Sequence, residues 1–135
     1  MEVFSNLAHG FELISTWQSL SSALIGLAAG ILIGALPGLT ATMAVAVLAP
    51  FTFFMESVIG IPLLLGIYKG AIYGGSIPAI TINTPGTAAA AATALDGSAL
   101  ARQGRGRLAL ETSLVASVIA DLIATFVLIF VAAPL

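Results

Sequence analysis

Apolar residues in this chain form long uncharged runs, and the polar positions gather at their ends. No charge occurs between Glu12 and Glu56, and only Lys69 lies between Glu56 and Asp96. Each interval exceeds the ~20 residues that cross the hydrocarbon core of a bilayer. Residues 3 to 17 place Phe4, Leu7, Ala8, Phe11 and Ile14 on one helical face, with Ser5, Asn6, His9 and Glu12 elsewhere. That periodicity predicts a short amphipathic surface helix, followed by Trp17 as an interfacial aromatic. The first span is predicted from Leu20 to Leu36. Thr42 to Met55 is apolar but short and contains Pro50, which suits a partial or tilted helix. Ser57 to Ile72 predicts another helix, with Pro62 in its first turns. Leu108 to Val131 predicts the last span, with Glu111 in its first turn and Asp121 in its middle.

Glycine punctuates the pattern. Gly26, Gly30, Gly34 and Gly38 recur at every fourth residue and end in Leu36-Pro37-Gly38-Leu39-Thr40-Ala41-Thr42. Residues i and i+4 share a helix face, so the ladder is a bare stripe that lets a neighbouring backbone come close in lipid. Pro37-Gly38 then removes a backbone donor and frees one φ, predicting a helix break. Gly66, Gly70 and Gly74 repeat the spacing at an offset of 40 residues. Their flanks match the first ladder poorly, so the expectation is one packing solution used twice rather than an internal repeat. From Tyr73 to Thr87, Pro78, Pro85, Gly74, Gly75 and Gly86 argue against a continuous helix. An open sheet edge has no partners in lipid. The expectation is therefore a re-entrant hairpin with its tip near Asn83 to Gly86. Its return arm runs from Ala88 to Leu95 and is closed by the turn residues Asp96-Gly97.

Composition agrees. Hydrophobic residues make up 59% of the chain and charged residues 7%, with a mean hydropathy of +1.14. A soluble domain is roughly 25% charged. The fold class expected is an all-α polytopic membrane protein forming one transmembrane region over residues 1–135. It has about three or four inserted segments with broken helices, and an N-terminal interfacial helix. Arg102, Arg105 and Arg107 gather three of the four basic residues in one short loop, which points that loop to the cytoplasm. The N-terminus carries Glu2 and no basic residue, unlike a secretory signal. There is no cysteine, which excludes thiolate nucleophiles, disulfides and cysteine-ligated metal. One peripheral histidine and isolated carboxylates make no catalytic constellation, so no enzyme is expected.

The residues around the two breaks resemble a known family. They are Gly34 to Val45 (GALPGLTATMAV), Gly66-Ile67-Tyr68, Ala71 to Ile80 (AIYGGSIPAI), Ile82 to Thr87 (INTPGT) and Ala94-Leu95-Asp96-Gly97. In this order they look like the large membrane subunit of the tripartite tricarboxylate transporters (the TctA type), most clearly from Leu7 to Leu110. Members are much longer and carry a second related half, so this chain looks like the N-terminal part of such a subunit. The resemblance implies a bacterial inner-membrane secondary transporter that takes up a carboxylate. Its implied partners are a small membrane subunit, a periplasmic solute-binding protein and the missing C-terminal half. Uptake would be coupled to a sodium or proton gradient, with no other cofactor and no nucleic-acid partner.

On that expectation the candidate binding residues are Gly38, Thr40 and Thr42 at the first break, and Ser76, Asn83, Thr84, Gly86 and Thr87 at the second. Freed N–H groups at helix starts suit a carboxylate, and unwound carbonyls suit a cation. The plainer alternatives are that the threonines bond back to their own helices and that the glycines only pack. Lys69 is expected to be functional, paired or snorkelling. A partner in the missing half would account for Asp121. His9 is expected to be solvated. The alternative function is a small glycine-zipper protein with a structural or assembly role.

Overall fold

The structure, a computed structural model, describes residues 9–132. Residues 9–14 are helical. Six helices follow: α1 (Trp17–Gly34), α2 (Ala41–Thr52), α3 (Ser57–Gly74), α4 (Ser76–Ile82), α5 (Ala90–Arg102) and α6 (Gly106–Ala132). No strand occurs among the described residues. α1, α6 and the continuous α3–α4 segment Ser57–Ile82 are long and apolar enough to cross a membrane. The expected all-α membrane architecture is present.

Of the expected surface helix, Phe4, Leu7 and Ala8 lie outside the described residues. His9, Phe11, Glu12 and Ile14 are exposed, and His9 Nδ1 lies 3.9 Å from the Glu12 carboxylate. Trp17 opens α1 rather than ending the surface helix. The Thr16 side chain accepts a hydrogen bond from the Ser19 amide at 3.4 Å, a cap that starts the span three residues before Leu20.

The two glycine ladders turn out to be the two sides of one seam. Gly26, Gly30 and Gly34 abut the backbone at Leu63, Ile67 and Ala71, while Gly66, Gly70 and Gly74 abut Ala23, Leu27 and Ile31. Sequence positions rise together on both helices, so α1 and α3 run parallel. A Cβ placed on Gly70 would stand 3.1 Å from the Gly30 Cα, and one on Gly74 equally close to the Gly34 Cα. All six glycines are buried. Contact between backbones is the packing that bilayers reward, since lipid supplies no hydrophobic drive between helices. α2 makes the return between the two parallel spans, and its Ala41 and Ala44 join Ile67 and Ala71 in one buried cluster.

The second break differs from the expected hairpin. Gly75 has φ −62° and ψ −21°, so the backbone stays helical from α3 into α4. Pro78 withholds the amide that would serve the Gly74 carbonyl, and the helical course carries on to Ile82 without it. The interruption comes at Asn83, in the left-handed region at φ 55°, a conformation asparagine tolerates better than most residues. The chain then doubles back alongside α4. The Thr84 amide donates to the Pro78 carbonyl and the Gly86 amide to the Gly75 carbonyl, each at 3.2 Å. From that level α5 runs beside α4 in the same direction, with Ala79 against Ala90 and Ala94 and Ile80 against Gly97.

Asp96-Gly97, expected to be a turn, lies inside α5. A Cβ on Gly97 would come within 2.7 Å of Ile80 Cγ1, so this glycine serves close packing rather than chain reversal. The actual turn is Gln103 to Arg105, with Gly104 at φ 77°. α6 returns antiparallel to α5, and Arg107 Nε donates to Glu111 Oε1 at 2.7 Å across one turn.

Candidate functional site

The sequence-predicted residues fall into three places. Gly38 is exposed with φ 92°, the positive φ for which a glycine is needed. Thr40 caps α2, its hydroxyl oxygen accepting from the Met43 amide at 3.2 Å, and Thr42 is exposed in the first turn of that helix.

The second group gathers around Gly75. Ser76 and Gly86 are buried and Thr87 is half-buried. A Cβ on Gly86 would lie 2.7 Å from the Gly34 carbonyl oxygen and 3.0 Å from the Gly75 Cα, while one on Gly75 would press against the Thr87 side chain. Thr87 Oγ1 accepts from the Ala90 amide, the first of α5, at 3.3 Å. Both breaks therefore meet at one end of the glycine seam. α2 begins there beside Ala71, and Gly86, four residues ahead of α5, packs there against Gly34 and Gly75. Two helix starts, each with a partial positive charge, lie near that end, where the Met43, Ala90 and Ala91 amides donate to Thr40, Thr87 and Ala88.

Asn83 and Thr84 stand apart from this group. Both are exposed, and the Thr84 hydroxyl donates to the Ile82 carbonyl at 3.3 Å. Asn83 instead lines a cleft of about 300 Å³ with Thr81, Ser98 and Arg102. Sequence reasoning used Arg102 only for orientation. Its presence beside Asn83 puts a guanidinium, a strong carboxylate partner, at a place where only neutral groups were expected.

Lys69 and Asp121 are partners. The Lys69 ammonium donates to Asp121 Oδ1 across the α3–α6 contact. This corrects the expectation that a partner for Asp121 lies in a missing half. The two residues sit 52 positions apart, and the antiparallel course of α3 and α6 brings them to one level. The pair lies in a second cleft of about 300 Å³, whose other walls include Leu27 and Ile31 of α1, Tyr68 and Tyr73 of α3, and Ser117 of α6. A single unpaired Lys or Asp at a span centre costs ~2.5–3.5 kcal/mol on insertion scales, so pairing removes a substantial penalty. No metal-binding cluster of His, Cys, Asp or Glu occurs among the described residues.

Interrupted apolar helices, packed by backbone contact around polar breaks and an intramembrane ion pair, define a polytopic membrane protein built in the manner of transporters. The sequence pattern of the tripartite tricarboxylate transporter TctA family matches residues 20–135, and the chain belongs to that family. A curated relative, an uncharacterized 52.8 kDa protein in the TAR-I ttuC' 3'region of Agrobacterium vitis, is 43% identical over all 135 residues. The chain spans 27% of that protein's length. No solved structure matches the chain.

Proposed function

We propose that these residues form part of the permease subunit of a binding-protein-dependent secondary transporter. It takes up tricarboxylates or related carboxylates across a bacterial inner membrane, driven by a sodium or proton gradient. A periplasmic solute-binding protein delivers the anion, a small membrane subunit completes the assembly, and the 102–107 loop faces the cytoplasm. Beyond family membership, the reading is supported by the nearness of the α2 and α5 starts, where Thr40 and Thr87 accept from the Met43 and Ala90 amides, to one end of the seam. Each such end contributes ~0.3–1 kcal/mol toward an anion when exposed and up to ~2 when partly buried. A multiply charged carboxylate is therefore held by several groups at once. On this reading Gly38, Thr40, Thr42, Ser76, Gly86 and Thr87 surround the anion or its coupling ion, and Asn83 and Thr84 border the way in or out beside Arg102.

The assembly alternative loses its main support. Its glycine ladders are consumed inside the chain, α1 against α3, and offer no bare stripe to a second protein. Ion-driven uptake of labelled citrate, malate and succinate by the full-length subunit with its partner subunits in proteoliposomes tests the proposal. Uptake of at least one carboxylate that collapses with the ion gradient is expected. Intact assembly without uptake of any carboxylate would reinstate the structural alternative.

A further inference from the structure

Ser98 is a buried polar residue with no structural partner. It is only 7% exposed, and its hydroxyl makes no hydrogen bond among the described residues. No fully enclosed side-chain nitrogen or oxygen there lacks a partner, so the Ser98 oxygen is reached from outside. The space that reaches it is the cleft of about 300 Å³ at the far end of α4 and α5. A buried hydroxyl left unbonded costs free energy, and a guest that bonds it removes that cost.

The other residues of the cleft select the guest. Ser98 and Arg102 stand four residues apart on α5 and share one face, and Asn83, at the end of α4, lines the same space. Among the described residues Arg102 makes no ion pair and the Asn83 side chain no hydrogen bond. The Thr81 hydroxyl is already engaged, donating to the Ile77 carbonyl at 2.8 Å. The remaining walls are apolar, and no carboxylate lines the cleft. A guanidinium meets a carboxylate with two parallel hydrogen bonds, and a hydroxyl and an amide can each donate one more.

We propose that Ser98, Arg102 and Asn83 form a release-side site for one carboxylate group of the transported anion. The inference rests on the carboxylate-transport reading above, with its cytoplasmic 102–107 loop. About 10 Å of α4 separates this cleft from the group around Gly75, so the two are separate stations on one course. Their electrostatics differ in the sense that release requires. Helix starts lie near the seam end, whereas α4 and α5 bring their carboxyl ends, with partial negative charge, to the cleft. The guanidinium attracts the anion and the helix ends oppose it, which leaves the anion loosely held.

Purely structural roles make different demands. An Arg102 that only complements the carboxyl end of α5 is replaceable by lysine, since any cation serves there; two-pronged recognition of a carboxylate is not. A Ser98 that bonds another segment of the longer subunit would cost stability when truncated. A Ser98 that waits for a guest would not.

The experiment uses the full-length subunit with its partner subunits in proteoliposomes, with the solute-binding protein added outside so that one orientation operates. Uptake of labelled succinate, malate and citrate is measured against the same carboxylate, unlabelled, enclosed at increasing concentration. The readout is the internal concentration that gives half of the effect on uptake. Arg102→Lys and Arg102→Gln should both raise it at least about tenfold, as loss of a charged hydrogen bond requires. Ser98→Ala should raise it about fivefold while membrane accumulation and thermal midpoint stay at wild-type values. Wild-type behaviour of Arg102→Lys would assign the arginine to the helix end, and a destabilised Ser98→Ala would assign the hydroxyl to the fold; either overturns the proposal. Vesicles of phosphatidylcholine with and without phosphatidylglycerol separate a free carboxylate from a lipid phosphate. Equal shifts in both support the site, and shifts confined to phosphatidylglycerol vesicles overturn it. If the wild type takes up none of the carboxylates, the transport reading itself fails. Normal wild-type uptake that ignores the enclosed carboxylate removes this inference alone.

Discussion

Ser19 and Pro62 sit on different helices, and the hydroxyl of the first completes the backbone that the second interrupts. Proline has no N–H, so Pro62 leaves the carbonyl four residues earlier, that of Val58, without its helical donor. Ser19, only 1% exposed, donates its Oγ hydrogen to that Val58 carbonyl at 2.8 Å.

Ser19→Ala is accordingly expected to destabilise the α1–α3 pair by ~1–2 kcal/mol, within the range for a buried acceptor left unsatisfied. Pro62→Ala restores an N–H to the Val58 carbonyl, so the double variant should recover most of that loss. Unfolding in mixed micelles, run as a double-mutant cycle, measures the coupling. Strictly additive single effects would show that the serine does not answer the proline.

The seam gives a second expectation. Gly30→Ala and Gly70→Ala each force a methyl group into opposing backbone rather than into a movable side chain. Each should cost more than the ~1–3 kcal/mol of ordinary overpacking, seen as loss of folded protein in the membrane. Gly10→Ala, with nothing within 4 Å, should be silent. Equal accumulation of all three would refute the seam.

At Asn83 backbone and side chain can be tested apart. Asn83→Gly keeps the left-handed conformation and deletes the amide, while Asn83→Ala also strains the backbone by ~1–2 kcal/mol. If the amide meets the transported ion, both variants raise the half-saturating substrate concentration of the full-length subunit at normal expression. A defect in Asn83→Ala that Asn83→Gly fully repairs would assign the residue to chain reversal alone.

Orientation is open to direct labelling. Cysteine placed at Gln103, in the exposed turn ahead of α6, should react with an impermeant maleimide only after the inner face of the membrane is made accessible. Labelling from the outer face of intact cells would invert the topology given by Arg102, Arg105 and Arg107.

Spans, ladders and breaks were legible in the sequence because each depends on neighbours within a few residues. Uncharged length marks α1, sustained apolar length marks α6 despite Glu111 and Asp121, and fourfold glycine spacing marks the seam faces. What the seam packs against was not legible, since parallel contact between α1 and α3 is a tertiary fact. The ladders read as two seams when they are one. Gly75 and Asp96-Gly97 misled for a related reason. A glycine accepts helical φ and ψ as readily as a turn, and only the nearness of Thr87 or Ile80 says which applies. For Lys69 and Asp121 a signal was available, namely lone charges of opposite sign deep in two apolar segments. Among the candidate site residues, the sequence marked both breaks, but it could not divide Asn83 and Thr84 from the group around Gly75. That division follows from the chain doubling back through Gly86.

A ladder of identical rungs is nearly its own image after a shift of one rung. Sliding α3 along α1 by four residues, about 6 Å, would set Gly66 against Gly30 and Gly70 against Gly34, but it would also carry Pro62 to the place where a Cβ stands 2.3 Å from the Ala23 carbonyl oxygen. The rungs alone therefore do not choose the register, and the end of the ladder does. Two further stops act with Pro62: the Ser19–Val58 hydrogen bond at one end, and Gly86 wedged between Gly34 and Gly75 at the other. Position along the rail is set by the same doubled-back segment that borders the candidate site. Whatever loosens or tightens that segment also decides where the two spans stand relative to each other.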